Sequence, residues 1–508
     1  MVLLKAKRSL SVVVVGVLVL EILPEIQEIG AGIQIAPNMR NILARLGIEP
    51  AIQAKAVVLE TIEVVRWQNG KVLSKIPVNH QYGKTAVIHR ADLQRALIDR
   101  ISELDNIEMR LGATITDIDF DRTAVWLQDG EMVTGDVIVG ADGIKSMIRN
   151  RMIPDRANGI LPTGDRAFRI LIHREKMLRD KELAKLIDKP KAVRWVGPHR
   201  HIVGYPIRNH QLYNAVFIHP DNGSVGESWT IPGTKEEMME MFCGWEPRVL
   251  KLIEASTQVL KSKLCLHPPL LTWVKGSCTL VGDACHPMLW QATCMDQPIA
   301  DSRRPYIAQG AAQALEDAAA LGVILSNISR VKSIPFALGV YEKCRKKRAE
   351  AVQQSGTANR IPLHLPDGPE QVARDERFAT VMKGDSSPDK WNDRETQQLL
   401  WGHDAEEAAK KCWTGMHVPK RGEMPPPQSK RETVTSSEAR RNLPDTQQLI
   451  RALNTTVDRQ LGGRHVVAVS ECVSSEALEN SSLRRCAFLT VRSFLAKRLN
   501  DELQEPEK

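Results

Sequence analysis

The 508-residue chain sets 69 Lys and Arg against 61 Asp and Glu, a formal net charge of +8, with 43% hydrophobic residues. That length supports two or three domains around a large core, and the basic residues are scattered, which argues against a nucleic-acid-binding stripe. Nine cysteines, an odd number with no C-x-x-C pair, point to unpaired thiols in a reducing compartment and away from a disulfide scaffold.

Lys5, Lys7 and Arg8 precede an apolar run from Ser11 to Leu20 that imitates a signal peptide, but Glu21-Ile22-Leu23-Pro24-Glu25 follows in place of a small-residue cleavage site. The run is also shorter than the roughly 20 residues a membrane span needs. The expectation is a buried strand in a cytoplasmic chain without a membrane span. Val12-Val13-Val14-Val15-Gly16 reads as the opening strand of a dinucleotide-binding unit, and Val17-Leu18-Val19-Leu20-Glu21 as its second strand, ending in an acid. Adjacent parallel strands need a crossover of at least about 10–12 residues. Gly16 and Glu21 are five positions apart, so the two segments cannot both be adjacent parallel strands, and the G-x-G-x-x-G loop with its helix is missing.

Glu28-Ile29-Gly30-Ala31-Gly32-Ile33-Gln34 is glycine-rich and predicts a loop that other groups can approach closely. Asn38 then opens an amphipathic helix through Leu46. Val87-Ile88-His89-Arg90-Ala91-Asp92-Leu93 leads into a helix expected from Ala91 to Leu104, with Leu93, Leu97 and Ile101 on one face. Asp136-Val137-Ile138-Val139-Gly140 predicts a strand running into a tight turn at Ala141-Asp142-Gly143, with a helix beginning near Ser146 and Arg149. Ala167–Ile172 and His201–Pro206 alternate or run apolar, as sheet strands do.

Cys278 to Val281 predicts a buried strand that stops at Gly282-Asp283-Ala284-Cys285-His286-Pro287. An acid at a strand end ahead of a helix start is a place to hold a polar ligand. The predicted helix resumes at Pro305-Tyr306-Ile307-Ala308-Gln309-Gly310-Ala311, after the non-periodic stretch Trp290 to Arg304. Its apolar face is Ala311, Ala314, Leu315, Ala318 and Leu321. A further helix is expected over Leu338 to Ala351. Beyond Trp413 come Pro425-Pro426-Pro427 and a Ser/Thr/Arg-rich stretch, which read as linker or disorder. No zinc-ligand spacing and no G-x-S-x-G elbow occurs.

From about Val12 to Ala405 these segments resemble the FAD-dependent aromatic hydroxylases, the family of salicylate hydroxylase and its fungal secondary-metabolism relatives. The fold class this implies is α/β: a Rossmann-like FAD-binding domain, incomplete at its N-terminus, with an interleaved mixed-sheet substrate domain. The FAD-binding domain would occupy 11–154 and 271–355, the latter with an insert at 290–304. A substrate domain would take 155–270, a helical tail 356–412, and a linker, disordered or weakly helical extension 413–508. The resemblance gives Asp283 a ribityl hydroxyl of the flavin and Glu21 the adenosine ribose. It places Gly30, Ala31, Gly32 and Arg90 against the cofactor, Asp142 and Gly143 near the pyrophosphate, and Gly310 and Ala311 at a helix start facing the ring system. Arg169 and Tyr205 would serve the aromatic substrate.

The implied activity is a monooxygenase that uses FAD, NAD(P)H and O2 to hydroxylate a phenolic or salicylate-like ring through a flavin C4a-hydroperoxide. The missing loop and the fifteen-residue insert from Trp290 to Arg304 keep a second reading open, a relative that no longer binds FAD stably.

Overall fold

The computed structural model describes residues 2–3, 16–26, 31–154, 159–221, 230–287, 309–358, 360–381, 387–389, 391, 393–416 and 466–470. The expected strand at Val12–Val15, Gly30, and the insert with the Pro305 segment lie outside the described residues.

One sheet runs in the order Val2–Leu3, Val17–Glu21, Val466–Ser470, Ile138–Gly140, Cys278–Leu280, Val274–Lys275. The four central strands are parallel to one another. Parallel strands covered on both faces read as unbroken apolar runs. Val17–Leu20, Ile138–Val139 and Leu280 are accordingly buried. Packed on this sheet is the helix Gly310–Ser326, whose residues Ala311 through Leu325 are all buried. Its alanines allow close approach, and the helix Ile334–Ala358 lies alongside it in the same apolar core.

Val466–Ser470 departs from the linker, disorder or weak helix expected over 413–508. The segment Val-Val-Ala-Val-Ser is β-prone, and it fills the slot between Val17–Glu21 and Ile138–Gly140. Tertiary pairing decides its state, which composition over a long window does not register. The helix Ala405–Gly415 likewise carries order past residue 412.

A second sheet has eight strands: Thr230–Pro232, Gln258–Leu266, Leu161–His173, Leu212–Pro220, Arg200–Ile207, Lys191–Gly197, Thr61–Arg66 and Val72–Pro77. It is mixed, since Lys191–Gly197 runs parallel to Thr61–Arg66 while its other neighbours are antiparallel. Two of its strands come from the segment preceding residue 155, so the chain interleaves the two bodies. Side chains alternate between the faces of a strand. Phe168, Ile170, Ile202, Ala215 and Phe217 point to one face and pack against Met238, Phe242, Val249 and Leu252 of the covering helices. The alternate residues Arg169, Tyr205 and Asn214 therefore occupy the opposite face, the underside of a roof.

Between roof and parallel sheet lies a small antiparallel sheet of Gly32–Ile35, Ala86–His89 and Val57–Val58. Part of the expected glycine-rich loop is thus a strand: Gly32 pairs with His89. The helix expected to open at Asn38 spans Pro37–Arg45, with proline at its first position. The helix expected from Ala91 spans Arg90–Ser102, and the His89 side chain accepts the Ala91 N–H at its start.

Candidate active site

The carboxyl ends of the parallel strands meet along one edge. Glu21 is in register with Ser470, Gly140 with Val469, and Leu280 with Gly140. Val281 N–H donates to the Gly140 carbonyl at 2.9 Å, which joins the two glycine-aspartate turns. Ligands in open α/β sheets bind beyond such an edge.

At the first turn Asp142 is fully buried. Its Oδ1 accepts the Ser146 hydroxyl at 2.5 Å and its Oδ2 the Ile148 N–H at 3.0 Å. The carboxylate therefore braces the turn, and Gly143, at φ +75°, supplies the backbone sense that lets the chain reverse there. Arg149 is buried behind it and donates to the Ile144 carbonyl at 2.6 Å and the Ala284 carbonyl at 3.2 Å. It ties the two turns together. The sequence marks Arg149 only as a helix-start residue, since its partner at Ala284 lies on another segment.

At the second turn Gly282 has φ +60°, and its N–H donates to Asp317 Oδ2 at 2.9 Å. Of Val281 through Pro287, Asp283 alone is not buried. It sits at the strand end where the resemblance puts the ribityl contact. Beneath it is a buried ionic network. Arg345 donates to Asp317 at 2.8 Å and to Glu316 at 2.7 Å, and Arg348 donates to Glu316 at 2.7 Å. Burial works against ionisation of Glu316, but the Arg348 and Arg345 guanidiniums overcome it and hold this carboxyl well below the usual carboxylate range. Asp317 is also lowered against burial, by His286 and Arg345.

Cys285, His286 and Asp317 bring three potential metal-ligand atoms within 4.8 Å of one another. Each is already engaged. His286 Nε2 lies 2.5 Å from Asp317 Oδ2, the Cys285 thiol faces the Gly282 carbonyl, and Arg345 occupies the other Asp317 oxygen. A cation there would compete with a guanidinium, so the cluster reads as a support for the Gly282 turn. Burial pushes the Cys285 thiol well above its ordinary value.

The third component is where roof and small sheet touch. Arg90 N–H donates to the Ala31 carbonyl at 3.1 Å, and Gly32 N–H donates to Asn214 Oδ1 at 2.9 Å. A Cβ at Gly32 would lie 2.6 Å from Tyr205 Cε2 and 3.0 Å from Asn214 Cγ, so only glycine fits under the roof at this point. Burial raises the Tyr205 hydroxyl well above its ordinary value, and the nearby Arg169 and Arg90 charges only partly offset this. Tyr205 therefore stays a protonated donor across the accessible pH range. Arg169, Tyr205, Arg90 and Gly32, separated by up to 173 positions in the chain (205 − 32), converge here. Asn214 joins them without any sequence signal beyond being a lone amide in an apolar strand.

Gly310 and Ala311 form the first turn of the long buried helix, whose start is held by Asn38. Asn38 Nδ2 donates to Gln309 Oε1 at 3.0 Å and Glu316 Oε1 at 2.7 Å. No acidic residue stands in that first turn, so its positive dipole end is not neutralised from within the helix. Glu21 is nearly buried, and its Oε1 accepts the Leu23 N–H at 3.2 Å.

These features fit a flavin on one side and leave a gap on the other. The missing Cβ at Gly32, the accessible Asp283 and the helix start at Gly310 suit the ring system and ribityl chain. For the pyrophosphate, the parallel sheet has its strand, Val466–Ser470, but Glu471-Cys472-Val473-Ser474-Ser475-Glu476 follows it with no glycine.

Among the described residues no helix is long and apolar enough to cross a membrane. The profile of a family described as an FAD binding domain matches residues 10–355. An FAD-dependent monooxygenase of Arthrinium sp, atnJ, is 41% identical over 405 residues, covering 79% of this chain and 91% of that protein. 3-Hydroxybenzoate 6-hydroxylase 1 of Aquipseudomonas alcaligenes is 31% identical over 346 residues, covering 66% of this chain and 80% of that one. Among solved structures, a salicylate hydroxylase substrate complex superposes with a TM-score of 0.60 at 21% identity, over 79% of this chain and 98% of that chain.

Proposed function

The chain belongs to the family defined by this FAD binding domain and its FAD-dependent monooxygenases, and from that premise we propose that it hydroxylates a small phenolic or salicylate-like ring, with NAD(P)H as electron donor and O2 as co-substrate. Bound FAD supplies the redox and oxygen-activating chemistry; the residues of the chain bind, orient and exclude water. Asp283 would hold the ribityl chain, Glu21 the adenosine ribose, Arg90 the cofactor beside Ala31 and Gly32, and the start of the helix at Gly310 the electron-rich edge of the ring system. Arg169 would pair with a carboxylate or phenolate, while Tyr205 donates to the reacting oxygen.

The observation that carries this reading is the meeting of Arg169, Tyr205 and Arg90 over Gly32, where no side chain fits. A relative named for a hydroxybenzoate supports a phenolic acid as substrate class. The six described cysteines are all free, in keeping with a reducing, cytoplasmic setting. The test is direct: purified protein incubated with FAD, NADH or NADPH and a panel of hydroxybenzoates should oxidise the nucleotide faster with substrate present and yield a product one oxygen heavier. Equal nucleotide oxidation with and without every aromatic would overturn the reading.

A second reading follows from the loop missing after Gly16. Three pyrophosphate N–H contacts, each contributing about 1.5–3 kcal/mol, correspond to at least about 10³-fold in affinity. On that reading the chain is isolated nearly free of FAD, and the absorbance of fresh protein separates the two.

A further inference from the structure

Asn214 is completely buried in the roof strand Leu212–Pro220, among apolar neighbours in sequence. Its amide is half used. Oδ1 accepts the Gly32 N–H at 2.9 Å, and Nδ2 has no hydrogen-bond partner among the described residues. The orientation of the amide follows from chemistry, because a backbone N–H can only donate and must face the oxygen. Buried polar groups in native interiors are usually paired, by protein, ordered water or a bound group, so this NH2 calls for an acceptor from outside the described residues.

The register says where that NH2 points. Asn214 stands opposite Tyr205 on one neighbouring strand and Leu171 on the other, so its side chain leaves the sheet on their face. Arg169 is two residues from Leu171 and shares it. Tyr205 and Arg169 are the residues assigned above to the substrate, and both present donors. A guanidinium has no acceptor at all, and a phenol held protonated offers its O–H. The Asn214 NH2 is the donor left without an acceptor among the described residues, and a group bound beneath the roof can supply one.

We propose that Asn214 Nδ2 donates a hydrogen bond to an oxygen of the aromatic substrate, so that Asn214, Arg169 and Tyr205 form a donor-rich surface selecting a ring with adjacent oxygen acceptors, such as an ortho-hydroxy carboxylate. Through Oδ1 the same side chain holds Gly32, which couples substrate seating to the cofactor-facing strand. This rests on the aromatic-substrate reading given above.

The test is calorimetric titration of the full chain, with FAD in excess, against salicylate, against the uncharged salicylamide and against indole, a ring with no strong acceptor. Asn214→Asp keeps the oxygen facing Gly32 and removes the donor. Salicylate and the uncharged salicylamide should both bind about ten-fold or more weakly in this variant, with indole binding and FAD affinity unchanged. Equal affinity for salicylate or for salicylamide in variant and parent would overturn the role of Asn214 and leave the proposed function standing. Loss of FAD affinity with salicylate binding intact would also overturn it, by moving the NH2 to the cofactor. Failure of the unaltered chain to bind any aromatic acid would overturn both. Should Asn214→Asp not fold, the unaltered chain labelled with 15N-asparagine decides. Salicylate should shift one protected side-chain amide pair, identified by its absence in Asn214→Ser, and an unmoved pair would overturn the proposal.

Discussion

Gly32 has no room for even a methyl group, and that single restriction carries much of the site. A Cβ would press on the Tyr205 ring at 2.6 Å, and the ring is buried on its other sides. Gly32→Ala should therefore displace Tyr205, destabilise the fold by about 1–3 kcal/mol as overpacking does, and weaken aromatic binding, read by melting and by titration. Asp283→Ala removes an accessible carboxylate at a strand end and should lower the flavin content of purified protein, at about 1.5–3 kcal/mol per lost charge-assisted bond. Equal flavin content would remove Asp283 from the cofactor site. Arg169→Met should leave flavin occupancy intact and raise the KM for an acidic phenol, and flavin loss would instead put Arg169 against the cofactor. Asp283, Arg90 and Asp142 stand out as candidates in sequence because each sits in a short contiguous pattern. The roles of Asn214 beside Gly32 and of Arg149 beside Ala284 do not, since these contacts span 182 and 135 positions and no local pattern encodes them.

At the scale of elements, the helices Gly310–Ser326 and Ile334–Ala358 are locked by Arg345 and Arg348 on Glu316 and Asp317. Apolar periodicity locates both helices, yet it says nothing of charged residues that face inward. Removing one partner of a buried pair leaves the other charge uncompensated, typically 3–5 kcal/mol, so Arg345→Met should be strongly destabilising in denaturant unfolding. The pH dependence has a definite sign. Unfolded Glu titrates near pH 4.3, and folded Glu316 lies well below that. Its ionised form thus adds stability at pH values above about 4.3, and this is lost as pH falls through the folded value. Glu316→Gln should be less stable at neutral pH and show a flatter acid limb. A parallel acid limb would mean that other carboxylates dominate.

For the whole molecule, the α/β fold class is legible through the family resemblance of the short motifs, and the apolar runs around Arg169 and Tyr205 mark strands of the roof. The incomplete dinucleotide unit was readable too, because no crossover fits between Gly16 and Glu21. The source of the replacement strand was not. A five-residue β-prone stretch in a polar tail carries no sign of the slot it fills until the neighbouring strands exist. Val466–Ser470 lies between Val17–Glu21 and Ile138–Gly140, so ending the chain at Met416 should split the parallel sheet. Amide exchange at Leu18–Leu20 and Val139 should then lose protection while the roof strands keep theirs. Val467→Pro, which removes a backbone N–H from the ladder, should do the same in the full chain. Full protection in both would show that the sheet closes without the tail.

The position of that strand also fixes an order of events during synthesis. A ribosome adds about 5–20 residues each second. The strand edges at Leu18–Leu20 and Val139 therefore leave the exit tunnel tens of seconds, by the same scale, before the segment that pairs with both. Throughout that interval the nascent chain holds two apolar parallel edges with an unfilled slot between them, the kind of surface that recruits other strands. Yield of folded protein should then depend on translation speed and on chaperones far more than its final stability suggests, because the middle of the sheet is the last part to be made.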